Sequence, residues 1–300
     1  GIDKGKVQLA KINTSANGNP VFYYFVNSGV LYVKGSSGVA ICHGFYTFMK
    51  THEYGIVTWA GKHINWPATI PDTEQFRQES PVKYHYNYNV VTYGYTLPFY
   101  DWERWRKEID WMALHGFDFP LAYAGFEAIG TRVWKRLQLT QAEIDNFYVG
   151  PAYLPWQRMG NVINHDGTLT DEYHAFQVNL QHKLLDAFKA LGMTPICPAF
   201  AGFIPRGILR LYPNVKHHKL SWCGFPEKNH GTLLSPEEDL FMTIGGMYIE
   251  EYEKEFGTQK FYIADSFNEM NIPTTADRYG WLATMGQRLY KSITDKSPNA

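Results

Sequence analysis

The sequence lacks a dominant charge. It carries 28 Lys and Arg against 29 Asp and Glu, a net charge of -1. That leaves no broad electrostatic footprint for nucleic acid or an anionic membrane. It also lacks any run approaching the roughly 20 apolar residues that a membrane helix needs. Cysteine is scarce: Cys42, Cys197 and Cys223 form an odd count whose spacing fits neither a disulfide framework nor a zinc pattern. Cys42 and Cys197 lie in apolar runs and read as small buried hydrophobes. No Gly-rich phosphate loop stands between a strand and a helix, and neither His-Glu-x-x-His nor Gly-x-Ser-x-Gly occurs. The pair His217-His218 has no third ligand at a recognised spacing, so neither a metal nor a cofactor is expected. Internal repeats, low-complexity tracts and long charge blocks are also missing. There is no initiating Met, and the chain opens at Gly1 in a polar stretch, from which a processed or truncated N-terminus is expected. The sequon Asn13-Thr-Ser15 has meaning only in a eukaryotic secretory setting.

What is abundant is aromatic. Phe, Trp and Tyr make up 16% of the 300 residues, with 9 Trp and 21 Tyr. Such side chains build cores, and Trp and Tyr also make sugar-stacking walls. The length suits one large domain or two ordinary ones.

Residues 1–80 read as a small α/β domain. Val21 to Val26 and Val30 to Val33 are strand-like and joined by Asn27-Ser-Gly29, a hairpin signal. A helical pattern follows from Ser36 to Met49, then two short strands around Thr58-Trp59 and His63 to Trp66. Pro67, Pro71 and Pro81 with polar residues between them read as a linker, with the boundary near Glu79.

From residue 81 to 300 the rhythm is strand then helix, four times over, which argues a parallel α/β arrangement. Lys83 to Tyr95 is aromatic and strand-like. Asp101 caps a helix over Trp102 to His115 that ends at Gly116. Phe117 to Tyr123 is a second strand, followed by a helix from Ala128 to Leu137 and a capping-box match at Thr140 and Glu143. Residues 147–169 read as a long loop and Asp171 to Leu191 as a helix. Thr194 to Phe200 is strand three, Val215 to Trp222 a second insertion, and Pro236 to Phe256 a helix with Gly245-Gly246 as packing contacts. The fourth strand is Phe261 to Ala264, with its helix from Thr275 to Thr294 opened by Thr274, Thr275 and Asp277.

The fourth strand runs out into Asn268 and Glu269. A carboxylate at the C-terminal end of a parallel strand sits where barrel enzymes keep their catalytic groups. Asn268 is suited to bind a sugar hydroxyl or acetamido group, whereas capping a helix or pairing with Lys is the plainer role for Glu269. Asn89 to Tyr95, Gly125 to Glu127 and Ala201-Gly202 follow the other strands, and in a barrel all four places meet on one face. Two carboxylates in an aromatic pocket suit glycoside hydrolysis. Glu269 is the better acid. Glu127 is either a second acid or a negative charge favoured in the first turn of its helix.

Six motifs carry a family resemblance: Asp101 to Gly116, Leu139 to Ile144, Trp156-Gln-Arg-Met-Gly-Asn161, Gly192 to Pro195, Pro198 to Gly202, and Asp265-Ser-Phe-Asn-Glu-Met270. Over 83–300 the chain resembles the α-N-acetylglucosaminidases of glycoside hydrolase family 89, and residues 21–66 resemble that family's small N-terminal domain. The resemblance implies a (β/α)8 TIM-type barrel and retaining hydrolysis of terminal α-linked N-acetylglucosamine through two glutamates. It assigns the general acid/base to Glu269, a sugar-holding role to Asn89, and pocket-lining places to Val91, Trp156 and Trp222; by their positions after strands, Asn268 and Glu127 join the expected substrate contacts. Val91 stands where relatives often carry Cys, and Phe126 where Gln is expected. The nucleophile glutamate has no match before Ala300, and 81–300 holds only about four strand-helix units. The barrel is therefore expected to be truncated, and this piece inactive alone. The implied partners are terminal α-GlcNAc glycans, and the implied location is secreted, periplasmic or lysosomal. The competing readings are a non-catalytic carbohydrate-binding protein using the same aromatic pocket, and an enzyme acting on another α-hexosaminide.

Overall fold

The computed structural model describes residues 3–273 and 277–300. Its chain folds into two compact units. One holds the residues up to Asn87 with Asp101–Pro120 and Leu184–Pro195, and the other holds Tyr88–Tyr100, Leu121–Lys183 and Ile196–Ala300.

The first unit begins with β1 (Val7–Lys11), β2 (Val21–Asn27) and β3 (Val30–Gly35). β2 and β3 form the expected antiparallel hairpin. Ser28 and Gly29 turn it with φ of 53° and 72°, the left-handed pair that matches strand twist. Helix α1 (Gly38–Thr51) starts where the Ser37 hydroxyl accepts from the Ala40 N–H. β4 (Gly55–Val57) and β5 (Lys62–Ile64) pair antiparallel. The stretch that reads as a linker contains a strand, β6 (Thr73–Glu79), antiparallel to β2 at the edge of a sheet ordered β1-β3-β2-β6. Pro71 and Pro81 flank this strand without interrupting it. Its polar residues face water because it is an edge, and the Phe76 ring stacks on Tyr24 at 5.0 Å. The core alternates along β2 and β3 as Phe22, Tyr24, Val26, Leu31 and Val33, and is closed by Phe48 of α1.

Only β7 (Tyr86–Asn87) is strand in the aromatic stretch from 83 to 95; its end is a short helix, α2 (Thr92–Tyr95). Helix α3 (Trp102–His115) has both expected ends. Asp101 accepts from the Arg104 N–H, and Gly116 takes the left-handed conformation at φ 83°. Trp105, Ile109, Met112 and Ala113 are buried, which makes Trp105 a core residue. β8 (Phe119–Pro120) runs parallel to β7.

In the second unit, α4 (Phe126–Arg136) is followed by α5 (Gln141–Asp145), where both halves of the Thr140–Glu143 capping box are present. The expected loop of 147–169 contains α6 (Leu154–Arg158), because Pro155 suits a first helical turn. Helix α7 (Asp171–Leu191) matches its expected range. β9 (Ile196–Pro198) and α8 (Gly207–Leu211) follow. The second insertion is a small antiparallel ribbon of β10 (His217–Lys219) and β11 (Thr232–Leu234). His217 and His218 lie on β10, and His218 sits edge-on to Trp281 at 5.6 Å. Among the described residues no three His, Cys, Asp or Glu side chains are grouped to hold a metal. Helix α9 (Asp239–Phe256) packs through Gly245 on Ser292, where a Cβ would approach Ser292 Cβ to 2.6 Å. β12 (Phe261–Ile263) lies parallel to β9, and Leu121 bridges Ile196 in the same sense. Helix α10 (Arg278–Thr294) is capped by Asp277, while Thr274 and Thr275 lie outside the described residues. Parallel strands with intervening helices are thus present at all four expected places, and among the described residues they do not close into a barrel.

Candidate active site

The turn after β12 is held at several points. Ser266 is buried and its hydroxyl donates to the Ala201 carbonyl at 2.8 Å, tying the turn after β12 to the turn after β9. The Asn268 carbonyl accepts from the Asn161 side-chain amide at 2.9 Å. Glu269 then adopts φ 52°, a left-handed backbone that costs a non-glycine residue about 1–3 kcal/mol. Its side chain is exposed, and one carboxylate oxygen accepts from the Trp222 indole N–H at 3.3 Å. Among the described residues no cation pairs with it.

Glu269 and Trp222 line an open recess of about 400 Å³ with Ser221, Cys223, Met270 and Asn271. The Trp222 ring lies nearly parallel to Phe225, with centroids 5.9 Å apart and 12° between planes. A carboxylate with no cation beside it and an indole N–H on one oxygen can hold and transfer a proton.

Asn89, Val91 and Trp156 gather around α2 and α6. The exposed Asn89 accepts from both the backbone N–H and the hydroxyl of Thr92, at 3.1 and 2.9 Å, and so caps the turn that α2 begins. Val91 is half-buried at the N-cap position of α2. Trp156 meets Tyr95 edge-on at 5.4 Å, and Gly94 lets α2 approach α6 because a Cβ there would reach 2.9 Å from both Pro155 and Trp156.

Glu127 stands in the first turn of α4 with 2% of its side chain exposed. Arg158, 5% exposed, donates Nε and Nη2 to its two carboxylate oxygens at 2.6 and 3.0 Å. Burial draws the guanidinium pKa down, but the charge and hydrogen bonding of Glu127 outweigh burial and raise it above the ordinary arginine value. Arg158 also lies 4.8 Å from the Tyr123 ring centre and 5.7 Å from that of Tyr93. The pair borders a void of about 30 Å³ that Phe126, Phe200 and Tyr248 also line. Phe126 packs against Tyr123 and Tyr248 as an apolar filler.

Arg158 and Asn161 are the polar residues that sequence reasoning did not single out. Both lie inside the motif Trp156 to Asn161, and a polar side chain within a run that becomes buried was the signal available. Cys223, placed in the Glu269 recess, carried no local signal.

The sequence matches the family model for the alpha-N-acetylglucosaminidase (NAGLU) tim-barrel domain over residues 85–300, and that for the corresponding N-terminal domain over residues 3–72. Human alpha-N-acetylglucosaminidase is 41% identical over 265 residues, covering 87% of this chain and 35% of the relative. A family 89 glycoside hydrolase from Clostridium perfringens, solved with PUGNAc, superposes with a TM-score of 0.89 at 25% identity, over 97% of this chain and 34% of that one. A second structure of that hydrolase, holding its substrate GlcNAc-alpha-1,4-galactose, gives the same TM-score at 24% identity over 97% and 34% of the two chains. The chain therefore spans about a third of the length of these relatives. With both domain models matched in order and the parallel strands in their expected places, the chain belongs to the alpha-N-acetylglucosaminidase family.

Proposed function

We propose that the protein is a retaining glycosidase that releases terminal α-linked N-acetylglucosamine, with Glu269 as its general acid/base. The nucleophile glutamate is then supplied from outside these 300 residues. The observation that carries the reading is Glu269 itself: a carboxylate just beyond a parallel strand, in a left-handed turn, open to a recess that Trp222 also lines and free of any cation among the described residues. Family membership and the human relative support the substrate class.

In the first half-reaction the nucleophile attacks the anomeric carbon while Glu269 gives its proton to the departing glycosidic oxygen. In the second, Glu269 takes a proton from water as that water displaces the enzyme carboxylate, which restores the starting protonation state. The Trp222 N–H engages one carboxylate oxygen and leaves the other for this transfer. Asn89, Val91, Trp156 and Asn268 are proposed to contact the sugar.

Proton NMR of the complete protein with GlcNAc-α-1,4-galactose tests this. The expected first product is the α-anomer of N-acetylglucosamine. Appearance of the β-anomer first would remove the retaining mechanism, and binding without release would favour a carbohydrate-binding protein instead.

A further inference from the structure

We propose that Asn161 is a positioning residue for Glu269, acting through the backbone of Asn268; the proposal rests on Glu269 being the acid/base. Asn161 is 1% exposed. Its amide donates to the Asn268 carbonyl at 2.9 Å, and its own Oδ1 is buried without a partner among the described residues. A buried polar atom left unpaired costs about 1–3 kcal/mol. The contribution of this side chain is therefore concentrated on one carbonyl, that of the residue preceding Glu269.

The peptide bond is planar, so holding the Asn268 oxygen fixes the plane from which the Glu269 φ is measured. At φ 52° that backbone is strained and would relax if released. Rotation about the N–Cα bond would swing Cβ, and with it the carboxylate, away from its place. Asn161 holds the peptide on the near side of that bond and Trp222 bonds the carboxylate on the far side, so the two contacts together limit the rotation.

Asn161 is itself well anchored. Its N–H donates to the Trp156 carbonyl at 2.8 Å, and two residues on the Ile163 N–H donates to Asn229 at 3.0 Å. Gly160 has φ 76° and lies against the Phe203 ring so closely that a Cβ would enter it. Gly231 abuts the Gly160 carbonyl, where a Cβ would approach to 2.5 Å. The motif Trp156 to Asn161 thus forms a rigid bracket whose last side chain reaches the catalytic turn from 107 residues away.

The test compares two substrates with the complete protein: GlcNAc-α-1,4-galactose, whose leaving group needs a proton, and 2,4-dinitrophenyl α-N-acetylglucosaminide, whose leaving group does not. The variants are Asn161→Asp, close in shape but without the amide donor, and Asn161→Ala, with Glu269→Gln run beside them. For either Asn161 variant, kcat/KM on the disaccharide should fall about 10–100-fold, and on the dinitrophenyl glycoside less than about 3-fold, since a misplaced acid costs only the protonated leaving step. A purely structural role would lower both substrates equally, and that result, or no change on either, overturns the proposal while leaving Glu269→Gln with its own leaving-group dependence. If Glu269→Gln shows no such dependence, the acid/base reading has failed and the proposal goes with it.

Discussion

The Glu127–Arg158 pair gives a prediction that separates structural from substrate-binding roles. Both side chains are almost fully buried, and the two contacts are in bidentate geometry at 2.6 and 3.0 Å. Glu127→Gln keeps the shape of the side chain and removes its charge, leaving a guanidinium buried among Tyr123, Tyr93 and the void. Removing one partner of such a pair costs about 3–5 kcal/mol, chiefly through the charge left behind. Arg158→Met should cost a similar amount by stranding the carboxylate. The double variant should cost less than the sum of the singles by more than about 2 kcal/mol, because no charge is then left unpaired. Urea unfolding followed by tryptophan fluorescence reads this directly, since Trp134 is buried in the same helix as Glu127 and packs edge-on to Tyr248. A cost below about 1 kcal/mol for Glu127→Gln, together with lost sugar binding, would refute the reasoning and assign the carboxylate to the substrate.

Three further outcomes are expected. The Glu143 carboxyl is held down to about 2, first by its hydrogen bond from Arg210 and then by the Thr140 N–H. A depressed carboxylate stabilises above its ordinary value of 4.5, and that contribution is lost as pH falls from 4.5 towards about 2. Unfolding midpoints of Glu143→Gln and the parent should therefore differ at pH 6 and converge in acid; a constant gap would contradict the pairing. Burial pushes the Cys197 thiol up to about 12, whereas Cys223 is exposed, so iodoacetamide with mass spectrometry should label Cys223 in the native protein and Cys197 only after unfolding. Gly160→Ala should destabilise by about 1–3 kcal/mol through overpacking against Phe203, and an unchanged melting temperature would show that the bracket yields.

The helices were the most legible part of the sequence because their signals are local. Asp101 with Gly116 and Thr140 with Glu143 mark their elements within a few residues, and the structure shows these caps in place. β6 was hidden because it is a polar edge strand flanked by prolines, and its pairing with β2 joins residues about 50 apart. The residues of α2 suit a strand as well as a helix, since Tyr93 and Tyr95 fit either state; the deciding contact, from the Thr92 N–H to Asn89, is a short polar cap among aromatics. The place of Glu269 just beyond a strand end was legible from the apolar run before it. The long-range polar contacts were less so. Glu127 and Arg158 are 31 residues apart, and Asn161 and Asn268 are 107 apart, with no periodicity linking either pair.

The most direct measurement of the central claim is kcat/KM for Glu269→Gln in the complete protein on a disaccharide with terminal α-linked N-acetylglucosamine. Loss of the acid should lower it by about 10²–10⁴-fold. A rate within about 3-fold of the parent would mean that another group protonates the leaving oxygen, and that Glu269 is not the acid.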